Sequence, residues 1–383
     1  MVNYVFLSVY FYSVPNLRFS YKGDWSKRKL NEICLFFKGN GLSKSDLSNE
    51  GFPCILYGEL YTTYKNEVIS DIISKTNTTL SNPFLSRNND LIIPGSGEDP
   101  IDIAVARAIY QNDIILGGDL NILRPKSNVS AAFLSYQLNG VRRYDIAKKA
   151  QGKSIVHLHN SDLKEVLVSI PSYDEQLHIV KLLTKIDERI QTQSKIIDSY
   201  FSLSKAISNT LIGQSKGNTR LRECLNCYSS NTMESVIKQE DLGDYPVYGA
   251  NGIIKKINNY EIEYPSIAIV KDGSGVGKMF KLSGKYSILS TLNYLTSKPG
   301  YDIDYIYYAL KQKSLKKYVV GSGIPHIYFK DYEQEKIYIP QNELQQQNIT
   351  SVLQSIDEEI GNEIKQLKNY ELLKKYLLKN MFV

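Results

Sequence analysis

Residues 168–211 (VSIPSYDEQLHIVKLLTKIDERIQTQSKIIDSYFSLSKAISNTL) read as one long helix in mid-chain, and the same text returns at residues 338–381. With one extra residue after Pro340, Gln346 falls under Gln176, Ile349 under Ile179, Leu353 under Leu183, and Ile356-Asp357-Glu358 under Ile186-Asp187-Glu188. An internal repeat restricts the architecture more than any single motif, because each copy has to bury its apolar face in an equivalent way. Each copy follows a block of strand-like text. The plan is therefore a globular block and a long helix, twice over.

The first helix places Leu183, Ile186, Ile190, Gln193, Ile197, Tyr200, Ser204, Ile207 and Leu211 alternately three and four residues apart. The second does the same with Leu353, Ile356, Ile360, Glu363, Leu367, Tyr370, Lys374, Leu377 and Met381. Such stripes pair helices side by side, with Leu183, Ile186, Ile190 and Ile197 on one helix and Leu353, Ile356, Ile360 and Leu367 on the other as the expected pairing residues. Both stripes are broken at the same two places by polar residues, which cost stability but can fix register and partner. About 40 residues at 1.5 Å each make a rod of roughly 60 Å, too long for one small domain to cover.

Connectivity then sets direction. The first helix delivers the chain to the second block, so a second helix that packs on the first must run back. The expected fold is α+β: two similar globular domains of mixed strands and short helices, joined and spaced by two long antiparallel coiled-coil helices with a pseudo-twofold internal repeat. The expected boundaries are a leader over 1–13, a first domain over 14–170, a helix over 171–214, a second domain over 215–338 and a helix over 339–383.

A length of 383 residues suits two domains, and 42% hydrophobic with 22% charged residues belongs to an ordinary folded chain. Cys34, Cys54, Cys224 and Cys227 are too few for a disulfide framework and suit a reducing compartment. Cys224-Leu-Asn-Cys227 has the spacing of half a zinc site, but no second pair follows, so the thiols read as free and no metal is expected. The opening MVNYVFLSVYFYS is apolar but short, without a basic start or a small-residue cleavage site. It reads as a frayed or non-native leader, since a span needs about 20 residues. The expected location is the cytoplasm, with no membrane partner.

The blocks share landmarks in one order. In the first, GFPCILYGEL, DLIIPGSG and DIILGGDLNILRP read as strands and turns, Ala131–Asn139 as a helix, and SIVHLHNSDLKEVLVSIP as an alternating close. In the second, Val247-Tyr248-Gly249 answers Leu56-Tyr57-Gly58, residues 269–275 answer 92–97, residues 291–295 answer 119–123, and Gly321-Ser322-Gly323 answers Gly152-Lys153-Ser154.

Several catalytic signals fail. Residues 272–278 (DGSGVGK) resemble a phosphate-binding loop, but Asp272 stands where the first glycine belongs and Met279 where Ser or Thr would hold magnesium. The stretch reads as a turn between strands, leaving Lys271 and Lys278 free to meet a phosphate. Residues 81–84 (SNPF) lack the second proline of an adenine methyltransferase motif and read as a turn. His157, His159, His178 and His326 have no metal or triad spacing. No catalytic set recurs in both blocks, so the chain is expected to bind and position rather than catalyse.

Cations cluster at matching places. Arg142, Arg143, Lys148, Lys149 and Lys153 precede the first Ile-Pro element, and Lys311, Lys313, Lys316 and Lys317 precede the second. With a net charge of +6, two such patches suit a polyanion lying across both blocks. A solvated face is the lesser reading of either cluster taken singly, and recurrence at matching places weighs further against it.

Ile170-Pro171 with Glu175-Gln176 and Ile186-Asp187-Glu188, repeated at Ile339-Pro340 and Ile356-Asp357-Glu358, resembles the specificity subunit of type I restriction–modification enzymes. So do residues 245–252 (YPVYGANG), 271–275 (KDGSG) and 321–325 (GSGIP), and the opening VPNLR at 14–18 followed by Gly23-Asp24-Trp25. The likeness covers nearly the whole chain from Val14. It departs at Gln345-Gln346, where Glu-Gln is usual, and at residues 93–97 (IPGSG), where a lysine-glycine form is expected.

The resemblance implies two target-recognition domains, each reading one half of a split, asymmetric sequence in double-stranded DNA, with the helices as spacer. Ser96, Tyr248, Asn251, Lys271, Ser274, Lys278 and Ser322, together with the two cation clusters, are the implied DNA-binding residues. It further implies two modification subunits that methylate adenine and restriction subunits that translocate and cleave. S-adenosylmethionine, ATP and Mg belong to those partners, and this chain would hold no cofactor. A helix of roughly 60 Å permits at most about 17 base pairs between domain centres at 3.4 Å per step. The competing reading is a two-headed coiled-coil scaffold that binds proteins rather than DNA.

Overall fold

Each apolar stripe folds as one continuous helix, Tyr173–Ser208 and Glu343–Asn380. The structure, a computed structural model, describes residues 14–21, 23–237 and 242–383. The leader expected over residues 1–13 lies outside them. The described residues form two compact units, one within 1–194 with 365–383 and the other within 195–364. Each unit therefore contains its own block and a part of both long helices, rather than ending where a helix begins.

In the first unit, Ile179 and Leu183 share a core with Leu377 and Met381, and Asp187 meets Lys374 at 2.7 Å. In the second, Ile207 and Ile212 share a core with Ile349 and Leu353. In the first unit Asp187, beyond Ile179 and Leu183 on its helix, meets Lys374, which precedes Leu377 and Met381 on the other, so the pairing there is antiparallel. The stripe holds with one exception. The first helix closes in a π-helical turn, Asn209–Gly213, whose extra residue rotates the face. Leu211 is left 36% exposed while Ile212 turns in, at 3%.

The first unit opens with Ser26–Lys29, antiparallel to the closing strand Leu167–Ile170. A helical turn, Leu30–Ile33, leads into a five-stranded sheet ordered Cys34–Lys38, Leu120–Pro125, Asp90–Pro94, Arg107–Ile109, Val68–Ile69. The central strand is buried throughout, which its unbroken aliphatic run Leu91-Ile92-Ile93 requires. Helix Ala131–Asn139, capped by the Ser130 hydroxyl on the Phe133 amide, covers one face of that sheet. Trp25 packs on Phe133 and Phe382, at 5.7 and 6.3 Å between rings. The expected alternating close is interrupted by helix Asn160–Lys164, because the Asp162 carboxylate accepts from the His159 amide and caps it.

The second unit repeats this plan in shorter form. Thr219–Arg220 pairs with Lys336–Ile337, and a helical turn, Leu221–Cys224, follows. A four-stranded sheet runs Leu225–Ser229, Leu292–Ser297, Ser266–Val270, Met279–Leu282. Helix Ile303–Lys311, capped by Asp302, corresponds to Ala131–Asn139. The parallel pair Phe52–Ile55 with Ile115–Leu116 returns as Tyr245–Gly249 with Ser287–Ile288. Among the described residues, the fifth strand of the first sheet has no counterpart.

The shared frame also repeats in side-chain detail. The Gln176 amide donates to the Pro171 carbonyl at 3.1 Å and that of Gln346 to Pro340 at 2.8 Å, across the one-residue difference in spacing. The Tyr136 hydroxyl donates to Asp187 at 2.7 Å and that of Tyr308 to Asp357 at 3.0 Å. One departure has a local cause. Glu175 is 1% exposed and takes a two-pronged bond from Arg18 at 2.6 and 2.7 Å, whereas Gln345 is exposed.

Candidate nucleic-acid interface

In the second unit, the glycine-rich stretch 271–278 is the turn between strands Ser266–Val270 and Met279–Leu282. Gly273 and Gly277 take positive φ, 92° and 83°, which side chains with a Cβ rarely adopt. The turn is tied to a second one. The Gly273 amide donates to the Pro325 carbonyl at 2.9 Å, and Ile327 to Lys271 at 2.9 Å. Pro325 ends the turn 321–325, whose flanks Val320 and His326 exchange amide bonds at 2.9 and 2.7 Å. Gly321 permits this closure, since a Cβ there would lie 2.4 Å from the Ile324 carbonyl oxygen.

These two turns bring several candidate residues together. Lys271 is half-buried, and Ser274, Lys278 and Ser322 are exposed. The Lys278 ammonium donates to the exposed Asn251 amide oxygen at 3.3 Å. Tyr248 lies in the adjoining strand, half-buried, its ring edge-on to Tyr286 at 6.0 Å. The arrangement offers ammonium groups, hydroxyls and an amide on a backbone held by hydrogen bonds, the donors that contact phosphates and base edges.

The cation clusters are more divided than their spacing implies. Lys148 and Lys153 are exposed and Lys149 is half-buried. Arg142 instead bonds Asp145 at 3.3 Å and the Val383 main-chain oxygen at 3.0 Å. Arg143 donates to the Ile101 carbonyl at 3.0 Å. In the second unit, Lys316 is exposed and Lys313 half-buried. Lys311 lies over Tyr307 at 5.1 Å, and Lys317 pairs with Glu335. Lys317 and Tyr318 hold the Glu335 carboxyl below its usual range by hydrogen bonding. The arginines thus serve the fold of their unit, and the exposed lysines remain available to an anion.

Ser96 sits otherwise than its motif suggests. It is 4% exposed and its hydroxyl donates to Asp119 at 3.1 Å. Strand pairing identifies its counterpart. Ser96 lies opposite His157, and Asp272 lies opposite His326, each beside a hairpin closed by Gly152 or Gly321. Ser96 therefore corresponds to Asp272, not to Ser274. In the second unit that position carries a bond between Asp272 and His326 Nδ1 at 2.8 Å.

Sequence reasoning missed this pair because its members are 54 positions apart. It also missed a cleft of about 460 Å³ lined by Tyr228, Tyr264 and Tyr294, with Tyr228 and Tyr294 stacked at 5.2 Å. The tyrosine-rich composition hinted at such a surface without saying which rings face outward. Cys34, Cys54 and Cys224 are buried and Cys227 half-buried, all as free thiols. Among the described residues, no group of three His, Cys, Asp or Glu side chains is placed to hold a metal, and no helix is long and apolar enough to cross a membrane.

The frame is thus built twice, with exposed lysines and polar turns in each unit. The model of the type I restriction modification DNA specificity domain matches residues 22–199 and again 219–369, one match per repeat, and the chain belongs to that family. The specificity subunit of the type I restriction enzyme MjaVIII of Methanocaldococcus jannaschii is 34% identical over 169 residues, 40% of this chain and 39% of that protein. A Mycoplasma genitalium protein named as a type I specificity subunit is 23% identical over 400 residues, covering 96% of each chain. The crystal structure of a type I restriction–modification system S subunit from M. genitalium superposes with a TM-score of 0.70. It is 19% identical and the match covers 97% of this chain and 99% of that one, a likeness of fold.

Proposed function

We propose that this chain is the DNA-specificity subunit of a type I restriction–modification complex, reading an asymmetric two-part duplex target with one part per unit. The observation that carries this reading is a repeated frame with unrepeated turn chemistry. The tyrosine–aspartate and glutamine–proline contacts recur, while Ser96–Asp119 in one unit stands where Asp272–His326 stands in the other. Similar frames dock alike, and different turns meet different base edges, so the two half-sites differ.

Exposed Lys148, Lys153, Lys278 and Lys316 contact phosphates and set salt-dependent affinity, and the turns around Asn251, Ser274 and Ser322 face bases. The paired helices set the number of base pairs between half-sites and carry two adenine-methylating modification subunits and the restriction subunits. Methyl transfer and cleavage, with S-adenosylmethionine, ATP and Mg, belong to those partners. The test is to express the chain with its modification subunit and map methylated adenines. Exchanging residues 219–336 for another such block changes one half of the target and leaves the other intact. A change in both halves, or binding indifferent to salt and sequence, defeats the proposal.

A further inference from the structure

The structure assigns a base-reading role to His326, with Asp272 as the residue that positions it, and this rests on the DNA-recognition reading above. His326 lies at the end of the hairpin whose turn is 321–325. Its backbone is held on two sides, by Val320 through a pair of amide bonds and by the Lys271–Gly273 turn through Ile327 and Pro325. The side chain is 35% exposed above this anchored backbone. Gly321 keeps that space clear, since a Cβ there would stand 3.2 Å from His326 Cδ2.

The hydrogen-bond inventory sets the ring's chemistry. The Asp272 carboxylate is an acceptor, so the 2.8 Å contact requires the proton on His326 Nδ1. In the neutral imidazole this leaves Nε2 as a pure acceptor, and Nε2 has no hydrogen-bond partner among the described residues. An acceptor held on a rigid turn beside Lys271, Lys278 and Ser322 suits the exocyclic amine of adenine or cytosine in the major groove. The neighbouring ammonium groups supply phosphate contacts that fix register. Tyr328 lies nearly parallel to the His326 ring, 6.4 Å away between centroids, with the Lys330 ammonium 5.4 Å from its own ring. The first unit lacks this device, since Ser96 turns inward to Asp119 opposite His157.

Asp272 acts through His326. Without it the imidazole flips and exchanges tautomers, presenting a donor as readily as an acceptor, and discrimination at one base pair falls. The experiment uses the full chain in its complex with the modification subunit, comparing His326→Ala, His326→Gln and Asp272→Ala by methylated-adenine mapping. The expected result is relaxed base preference at a single position of the half-site that follows residues 219–336, on the order of 10- to 100-fold for His326→Ala. Asp272→Ala relaxes the same position less, and the other half-site stays unchanged. A role in folding alone would weaken the whole half-site rather than one position. If His326→Ala abolishes methylation, His326→Gln decides, because its amide keeps the reach but sets a donor beside the acceptor: altered preference at one position supports the assignment and unaltered preference overturns it. Variants that methylate the wild-type target unchanged overturn the assignment while leaving the DNA-specificity reading intact. A wild-type complex without sequence preference overturns both.

Discussion

Lys374→Met removes the ammonium group that Glu67 and Asp187 share at 2.6 and 2.7 Å. Both carboxylates are nearly buried, at 5% and 4% exposure, and Asp187 also accepts from the buried Tyr136 hydroxyl. Burial, then the Glu67 charge, raises the Asp187 pKa despite the lysine. Burial alone would lower the Lys374 pKa, but the two carboxylates outweigh it and raise it. The directions agree: two acids compete for one cation. Arg107 is electrostatically coupled to both acids, but its Nε donates to the Leu60 carbonyl instead.

Methionine keeps the aliphatic stem and leaves two buried charges without their partner, a loss of about 3–5 kcal/mol. At about 1.4 kcal/mol per decade, hydrogen exchange of amides 365–380 in the full chain should accelerate roughly 100- to 3000-fold. Adding Glu67→Gln and Asp187→Asn to Lys374→Met removes the stranded charges and should restore most of the protection. Acceleration under about tenfold, or no recovery in the triple variant, refutes the reasoning. The pH dependence has a definite sign. Because the Lys374 pKa is raised on folding, its contribution is complete below the ordinary value of 10.5 and is lost as pH climbs through the raised value. Asp187, raised above 3.8, adds a decline of the same sign as pH rises through the acid range.

Inserting four residues beside Ser194 should lengthen the gap between half-sites without altering either, read by mapping methylated adenines; an altered half-site defeats the spacer role. Tyr136→Phe should destabilise more than Tyr308→Phe in thermal denaturation, by about 1.5–3 kcal/mol, because Asp187 is buried and Asp357 only half so. Equal costs would contradict this. Burial pushes the thiols of Cys34 and Cys224 up to about 12 and those of Cys54 and Cys227 to about 11. The folded protein should resist a thiol reagent at neutral pH and titrate fully once unfolded. Rapid reaction of any cysteine in the folded chain contradicts this.

The sequence by itself determined the repeat, the two long helices, their antiparallel sense and the family. All of these follow from periodicity, chain order and motifs, which are local or are counted along the chain. Leu183 and Leu353 could be placed on a buried seam because a heptad stripe declares its face without reference to anything distant. The tertiary structure decided which polar break matters and why. Lys374 is an interruption in a stripe until folding brings it to Glu67, 307 positions away. A π-helical turn exchanged Leu211 for Ile212, through backbone geometry that side-chain spacing does not encode. Ser96 shares its motif with Ser274 but its place with Asp272, because strand register, not motif order, sets equivalence. His326 had no spacing to mark it, and acquired a defined proton position only when the fold set Asp272 against its ring.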